Sequence, residues 1–330
     1  MVEIIAEIAQ GYEGNPTLAN LLAKASVKAG ADAVKYQLIY ADEIATPDYK
    51  YYGLFKSLEM SEDNWKEITA VVKDAGKKLY FDIYGDRGFE LAKKLHADGI
   101  KLSTTEFYND YLVRKVLLYF TKVFIGIGGV PLKDLEAFTE KHAIDSEVDL
   151  CFLYGVQNLP TDMTDNNILR IKYLKDRFPN MNFGFMDHAD GDLEEALILP
   201  LLTLPLGITA IEKHITLDRI LEIEDYISAL TPLRFQKFVK LVRHFETALG
   251  RYDMDLTDKE KNYKQRAAKI VVASQDLAAN TKLEFEHIVL KRVGMHVNED
   301  ESYNGLSEVV NRVIISDVKM NQPILTSDLA

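Results

Sequence analysis

The sequence predicts an α/β fold, a (β/α)8 TIM barrel followed by a small β-rich domain, and three observations carry that reading. Short apolar, β-branched runs alternate with amphipathic helical stretches through the first three quarters of the chain, as in a parallel sheet buried on both faces. Eight such runs can be read, the number that closes a barrel. The competing doubly wound open sheet usually carries a glycine-rich phosphate loop after its first strand. Ala9-Gln10-Gly11-Tyr12-Glu13-Gly14 is a poor match to one.

In chain order the expected strands are Glu3 to Ala9, Ala33 to Gln37, Lys78 to Ile83, Gly99 to Thr104, Val123 to Gly128, Asp149 to Gly155, Asn182 to His188 and Ile208 to Thr216. Each is brief and mostly apolar. The helices between them have readable ends. Thr17 to Lys28 closes at Gly30, Ser61 caps the segment through Val72, and Thr231-Pro232 opens the helix that ends at Gly250. Ala196 to Ile211 is the longest apolar stretch, but Pro200 and Pro205 break it and it falls short of the ~20 residues of a membrane span. It reads as a buried helix leading into a buried strand. Residues 251–266 turn charged and lose the barrel rhythm, which marks a linker between a barrel over 1–250 and a β-rich domain over 267–330. The last domain holds short strand-like pieces, Ile270 to Ala273, His287 to Lys291, Arg312 to Ser316 and a Pro323-Ile324 edge.

Fifty-one acidic against thirty-nine basic residues give a formal charge of −12, which argues against nucleic acid or an anionic membrane as partner. An anionic substrate would need its own basic pocket. Cys151 is the sole cysteine, so no intrachain disulfide or thiolate metal cage can form. That composition suits a reducing compartment, and Met1 to Gln10 lacks the basic and apolar regions of a signal peptide, so a cytoplasmic location is expected.

Barrel enzymes place their reactive groups at the C-terminal ends of the strands. Ionisable residues fall there on several strands: Glu7 on the first, Lys35 with Gln37 on the second, Lys101 and Glu106 around the fourth, His188 on the seventh, and Glu212 to His214 on the eighth. Two lysines and several carboxylates inside a barrel require partners or ligands, although a single lysine at a strand edge can equally snorkel to solvent. Of seven histidines, His96, His142 and His244 fall on helical segments, and His287 and His296 in the terminal domain. His188 and His214 end adjacent strands. A pair of neutral imidazoles with open positions suits a catalytic Mn²⁺, Zn²⁺ or Co²⁺. Asp225, just after the last strand, is a candidate for a further ligand or an acceptor for a substrate hydroxyl.

Four stretches carry a family resemblance: Ala6-Glu7-Ile8, Ala29 to Gln37 (AGADAVKYQ), Asp187-His188, and Ile211 to Arg219 (IEKHITLDR). With Lys291-Arg292-Val293-Gly294 near the end, the chain resembles the sialic acid (N-acetylneuraminate) synthases, whose tail is an antifreeze-like (SAF) domain. The resemblance implies a metal-dependent condensation. Phosphoenolpyruvate attacks the open-chain aldehyde of an N-acyl amino sugar, water adds at C2, and phosphate leaves to give a nine-carbon 2-keto acid. It implies a divalent metal on His188 and His214, Mn²⁺ first, with Mg²⁺ or Co²⁺ as alternatives. Lys35 and Lys101 match the lysines that neutralise phosphoenolpyruvate, and Glu106 matches a proton-transfer carboxylate. Glu7, Gln37 and Asp225 match substrate-binding positions, as do Thr104 and Gln157, the latter standing where an asparagine is usual. Arg292 matches the arginine that one subunit extends into its partner's site, which implies a domain-swapped homodimer. Where the family carries phosphate-binding hydroxyls, this chain has Asp82-Ile83-Tyr84, Gly126-Ile127-Gly128 and Met186. Backbone amides around Gly126, Gly128 and Gly129 could substitute. The alternative is a metal-dependent aldolase of the same fold whose donor is not phosphoenolpyruvate, with pyruvate or another keto acid at Lys35 and Lys101. The tail alone would suggest an ice-interacting protein, a reading that leaves the barrel unexplained.

Overall fold

Eight parallel strands close into a barrel in sequence order in the computed structural model of the chain, which describes residues 1–142, 147–294 and 297–330. His296 lies outside the described residues. The strands are β1 (Glu3–Ala9), β2 (Ala33–Leu38), β3 (Lys78–Ile83), β4 (Gly99–Leu102), β5 (Lys122–Gly126), β6 (Asp149–Tyr154), β7 (Asn182–Asp187) and β8 (Ala210–His214). The predicted barrel is therefore the one that forms. Several strands end one or two residues before the expected limit, because the chain turns out into loops at the open end of the barrel.

The period of two along each strand sorts the side chains. Ile5, Ala33, Tyr80, Phe124, Cys151, Leu153, Met186 and Ala210 pack together inside the barrel. Residues of the other parity, such as Ile4, Val34, Phe81, Ile125, Phe185 and Ile211, join the larger core between sheet and helices. That outer core includes an edge-to-face cluster of Tyr12, Tyr36, Trp65 and Phe81. Further along the strands the interior turns polar. Register places Glu7 beside both Lys35 and His214, and Asp82 beside both Gln37 and Lys101, while Asp187 and Lys213, of the other parity, pair on the outer face.

The helices start and stop for local reasons. Asn15 caps Pro16–Ala29 by accepting from the amides of Thr17 and Leu18, and Gly30 ends it at φ 93°, a left-handed conformation that glycine adopts without strain. Ser61 accepts from the Asn64 amide at 3.2 Å to open Glu62–Asp74. The apolar stretch before β8 is a short helix, Glu195–Ile198, continued as a 3-10 helix over Leu199–Leu206, since Pro200 and Pro205 withhold backbone donors. None of the described helices is long and apolar enough to cross a membrane.

The chain divides into two compact units, Met1–Gly250 and Arg251–Ala330. Charged residues 251–266, read above as a linker, contribute most of a helix, Asp258–Ala267, opened by a reciprocal Thr257–Glu260 capping box. The second unit pairs β9 (Ile270–Ala273) antiparallel with β10 (Ile288–Lys291). Its small core includes Val271, Leu283, Ile288, Val309, Ile314 and Ile324. The expected strands at 312–316 and 323–324 are isolated bridges instead: Val313 pairs with Lys282, Ile314 with Leu329 and Pro323 with Val272. Turns recur too often there for a longer ladder.

Candidate active site

A cavity of about 230 Å³ opens at the C-terminal ends of the barrel strands. Its floor is a set of buried charges of alternating sign on neighbouring strands. Lys35 on β2 contacts Glu7 on β1 and lies 2.6 Å from Glu212 Oε2 on β8. Lys101 on β4 lies 2.7 Å from Glu212 Oε1 and 3.7 Å from Asp82 Oδ2 on β3. Asp82 also accepts from the Ser103 hydroxyl at 2.6 Å and the Ser103 amide at 3.2 Å. Glu7 Oε1 accepts from the Ala9 amide at 2.7 Å. Every one of these charges is thus met by an opposite charge or a donor, as burial demands.

The protonation states follow. Burial pushes the Glu7 carboxyl up to about 8 against the pull of Lys35. Burial alone would also raise Glu212, but Lys101 and Lys35 outweigh it and hold that carboxyl well below the usual range. Burial opposes the charge on Lys101, yet Glu212, Asp82 and Glu7 together raise its pKa.

Beside this floor stand the two imidazoles. His188 follows the last residue of β7, His214 ends β8, and their ring centroids are 5.3 Å apart at an interplanar angle of 53°. Burial lowers His188 to about 4 and, with the neighbouring His188, lowers His214 well below its ordinary value. Both rings are neutral near pH 7. His188 Nδ1 is buried without a hydrogen-bond partner. His214 Nδ1 lies 3.8 Å from Asp225 Oδ2, and burial raises the Asp225 carboxyl to about 6. No preformed cage of three or more His, Cys, Asp or Glu side chains exists among the described residues. The donor set fits a divalent ion held by two neutral nitrogens, one of them lacking any partner among the described residues, with other positions left to substrate and water.

The cavity gathers Glu7, Gln37, Lys101, Gln157, His188, His214 and Asp225 from the residues singled out in the sequence. Gln37 accepts there from Gln10 Nε2 at 2.8 Å. Others fall elsewhere. Lys35 is wholly buried against Glu7 and Glu212. Thr104 and Glu106 share the short turn Thr104–Glu106, of which Thr105 lines the cavity. Thr104 Oγ1 is buried without a partner, and Glu106, half-buried and raised by that burial, accepts from Asn109 Nδ2 at 2.8 Å. Arg292 belongs to the second unit, where its Nε donates to the Ala267 carbonyl at 3.0 Å.

Strand parity revises the reading at the expected phosphate positions. Ile83 packs in the outer core, and it is Asp82 that faces inward at this end of β3. Met186 faces the apolar interior. A Cβ on Gly126 would stand 3.1 Å from the Thr104 amide, one on Gly128 would strike the Gly155 carbonyl oxygen, and one on Gly155 would strike that of Met186. These glycines let the ends of β4 to β7 pack backbone against backbone. Sequence reasoning gave no role to Glu212, Ser103, Tyr84, Thr105, Gln10 or Glu224, all of which line the cavity. For Glu212 a signal existed: it lies two residues before His214, hence on the same face of β8.

The profile of the NeuB family matches residues 22–254. The chain belongs to the NeuB family. The SAF domain profile matches 268–330, so the resemblance to the sialic acid synthases with their antifreeze-like tail holds across both parts. Pseudaminic acid synthase of Campylobacter jejuni is 28% identical over 312 residues, covering 89% of either chain. N,N'-diacetyllegionaminic acid synthase of Legionella pneumophila is 24% identical over 319 residues, 91% of this chain and 88% of its own. The crystal structure of a spore coat polysaccharide biosynthesis protein E from Chromobacterium violaceum superposes with a TM-score of 0.82 over the whole of both chains at 19% identity, a likeness of fold.

Proposed function

We propose that the chain condenses phosphoenolpyruvate with the open-chain aldehyde of an N-acyl amino sugar, forming a nonulosonic, sialic-acid-like 2-keto acid and releasing phosphate. The observation that carries the proposal is the pair of neutral imidazoles 5.3 Å apart beside Lys101 in one cavity. Membership of the NeuB family supports it, as do relatives named for pseudaminic and legionaminic acid synthesis. In the reaction C3 of the enol donor bonds to the aldehyde carbon, water adds at C2, and the C–O bond to phosphate breaks.

The divalent ion, Mn²⁺ first and Mg²⁺ or Co²⁺ as alternatives, would be held by His188 and His214 and supply polarisation of the aldehyde oxygen and a site for water. Lys101 faces the donor anion, while Lys35 lies beneath it in contact with Glu7 and Glu212. Glu7, Gln37, Gln157 and Asp225 bind the polar groups of the substrates, and Thr104 adds a free hydroxyl at the β4 end. Glu106 moves the proton, and burial raises its pKa above the ordinary carboxylate value. Arg292 reaches the acceptor from the partner of a domain-swapped homodimer in the cytoplasm. Purified protein with Mn²⁺, phosphoenolpyruvate and a panel of N-acyl hexosamines should release phosphate in step with 2-keto acid. Absence of turnover with every acceptor overturns the proposal.

One observation favours a second reading. Asp82 puts a buried carboxylate beside Lys101, and the expected hydroxyl donors are replaced by Gly126 and Met186. A donor without phosphate, such as pyruvate, would then condense as in an aldolase. Carbon–carbon bond formation from pyruvate with no phosphoenolpyruvate present would select it, and borohydride trapping would tell whether a lysine Schiff base takes part.

A further inference from the structure

The two motifs that carry the imidazoles, Asp187-His188 and Glu212-Lys213-His214, each hold a charged residue with no part in the proposed chemistry. Glu212 and His214 line the cavity, so the intervening Lys213 projects from the opposite face of β8. There its Nζ lies 2.7 Å from Asp187 Oδ2, with both side chains wholly shielded from water. Asp187 and Lys213 are register partners on adjacent strands, and each stands one residue before an imidazole. The other oxygen, Asp187 Oδ1, accepts from the Ala189 amide at 2.9 Å, so one carboxylate grips the chain on both sides of His188. The His188 carbonyl accepts in turn from the Thr161 amide at 2.9 Å and the Ser228 hydroxyl at 2.8 Å. The His214 carbonyl accepts from the Leu230 amide at 2.9 Å.

A desolvated ion pair contributes little net stability compared with apolar residues of the same shape, so stability alone does not account for this one. What such a pair does provide is register. A slip of one residue between β7 and β8 would separate the charges and turn the imidazole of the slipped strand out of the cavity, leaving the two rings on opposite faces. We propose that Asp187 and Lys213 are positioning residues, locking β7 to β8 from behind the sheet so that His188 and His214 stand ready to share one divalent ion. The inference rests on reading the two imidazoles as the metal site.

The test uses full-length, metal-free protein. Lys213→Met alone strands a buried carboxylate and can fail to fold, so the decisive variant is Asp187→Asn with Lys213→Met, which removes both charges and keeps the acceptor for Ala189. Titration with Mn²⁺ by calorimetry should show cooperative folding retained and affinity weakened about ten- to a hundredfold, the size of effect that outer groups exert on metal ligands. A crystal structure of that variant should show the imidazole rings displaced from their 5.3 Å separation. A folded double variant with wild-type Mn²⁺ affinity and unmoved rings overturns the inference. A double variant that does not fold overturns it as well, since the pair then serves stability. Wild-type protein that binds Mn²⁺ but releases no phosphate from phosphoenolpyruvate sinks the proposed reaction and leaves this inference standing. Wild-type protein that binds no Mn²⁺ overturns the metal site and the inference together.

Discussion

Glu212 shows how a single side chain organises the site. One oxygen meets Lys35 and the other Lys101, so both lysine side chains are held in place before any substrate arrives. The imidazoles beside it are held neutral by burial, which favours metal coordination over proton binding. His214→Ala should abolish metal-stimulated phosphate release and leave cooperative urea unfolding in place; residual metal-stimulated turnover would contradict the assigned ligand. The same burial sets a pH dependence. An unfolded histidine titrates near ~6.5, whereas His188 titrates at about 4 in the folded chain. Between those values the unfolded state takes up protons that the folded state refuses, so stability falls as pH drops from ~6.5 towards ~4. Glu7 acts in the opposite sense. Its folded pKa is raised to about 8, so the folded state holds the extra proton, and stability falls as pH rises from ~4.5 through ~8. Thermal melts across pH should show His188→Ala flattening the acid-side loss and Glu7→Gln flattening the loss above pH ~6.5.

At the scale of elements, the ends of β5 to β7 are set by glycine. Gly155 lies where any Cβ would collide with the Met186 carbonyl oxygen and lies close to the Met186 Cβ, neither of which can swing away. Gly155→Ala should therefore cost about 1–3 kcal/mol in urea denaturation, the usual range for overpacking. Gly53, in the short helix Tyr52–Ser57, has nothing within 4 Å of an added Cβ. Gly53→Ala should be neutral or stabilising by up to about 1 kcal/mol, as helix propensity dictates. Equal effects of the two substitutions would refute the backbone-packing account. These elements were legible in the sequence to different degrees. Strands β1 and β3 match their expected limits because apolar runs are bounded by turn residues. The helix expected over the proline-broken stretch was harder to place, since Pro200 and Pro205 permit a 3-10 helix as well as an interrupted α-helix. In the second unit the short apolar pieces 312–316 and 323–324 looked like strands, but a chain that turns so often pairs through single bridges.

For the whole molecule, the two compact units divide the proposed labour. The barrel holds the imidazoles, the lysines and the cavity, and the SAF unit carries Arg292. Arg292→Ala should raise the acceptor KM more than the donor KM in steady-state assays, and an unchanged acceptor KM would refute the swapped-domain picture. Sedimentation equilibrium should give a dimer; a monomer with full activity would refute it equally. The sequence by itself determined the barrel, the order of its strands, the paired histidines and the family, because all of these rest on local period and on contiguous motifs. Tertiary structure alone decided which buried charge meets which. Glu212 reaches Lys101 across 111 residues of chain, and closure brings β8 beside β1. Lys213 turns away from the cavity to Asp187, and Asp82, not Ile83, faces inward at the end of β3. A sequence states the alternation of faces along each strand, but only barrel closure and the stagger between strands fix which face is the interior and at what height its charges meet.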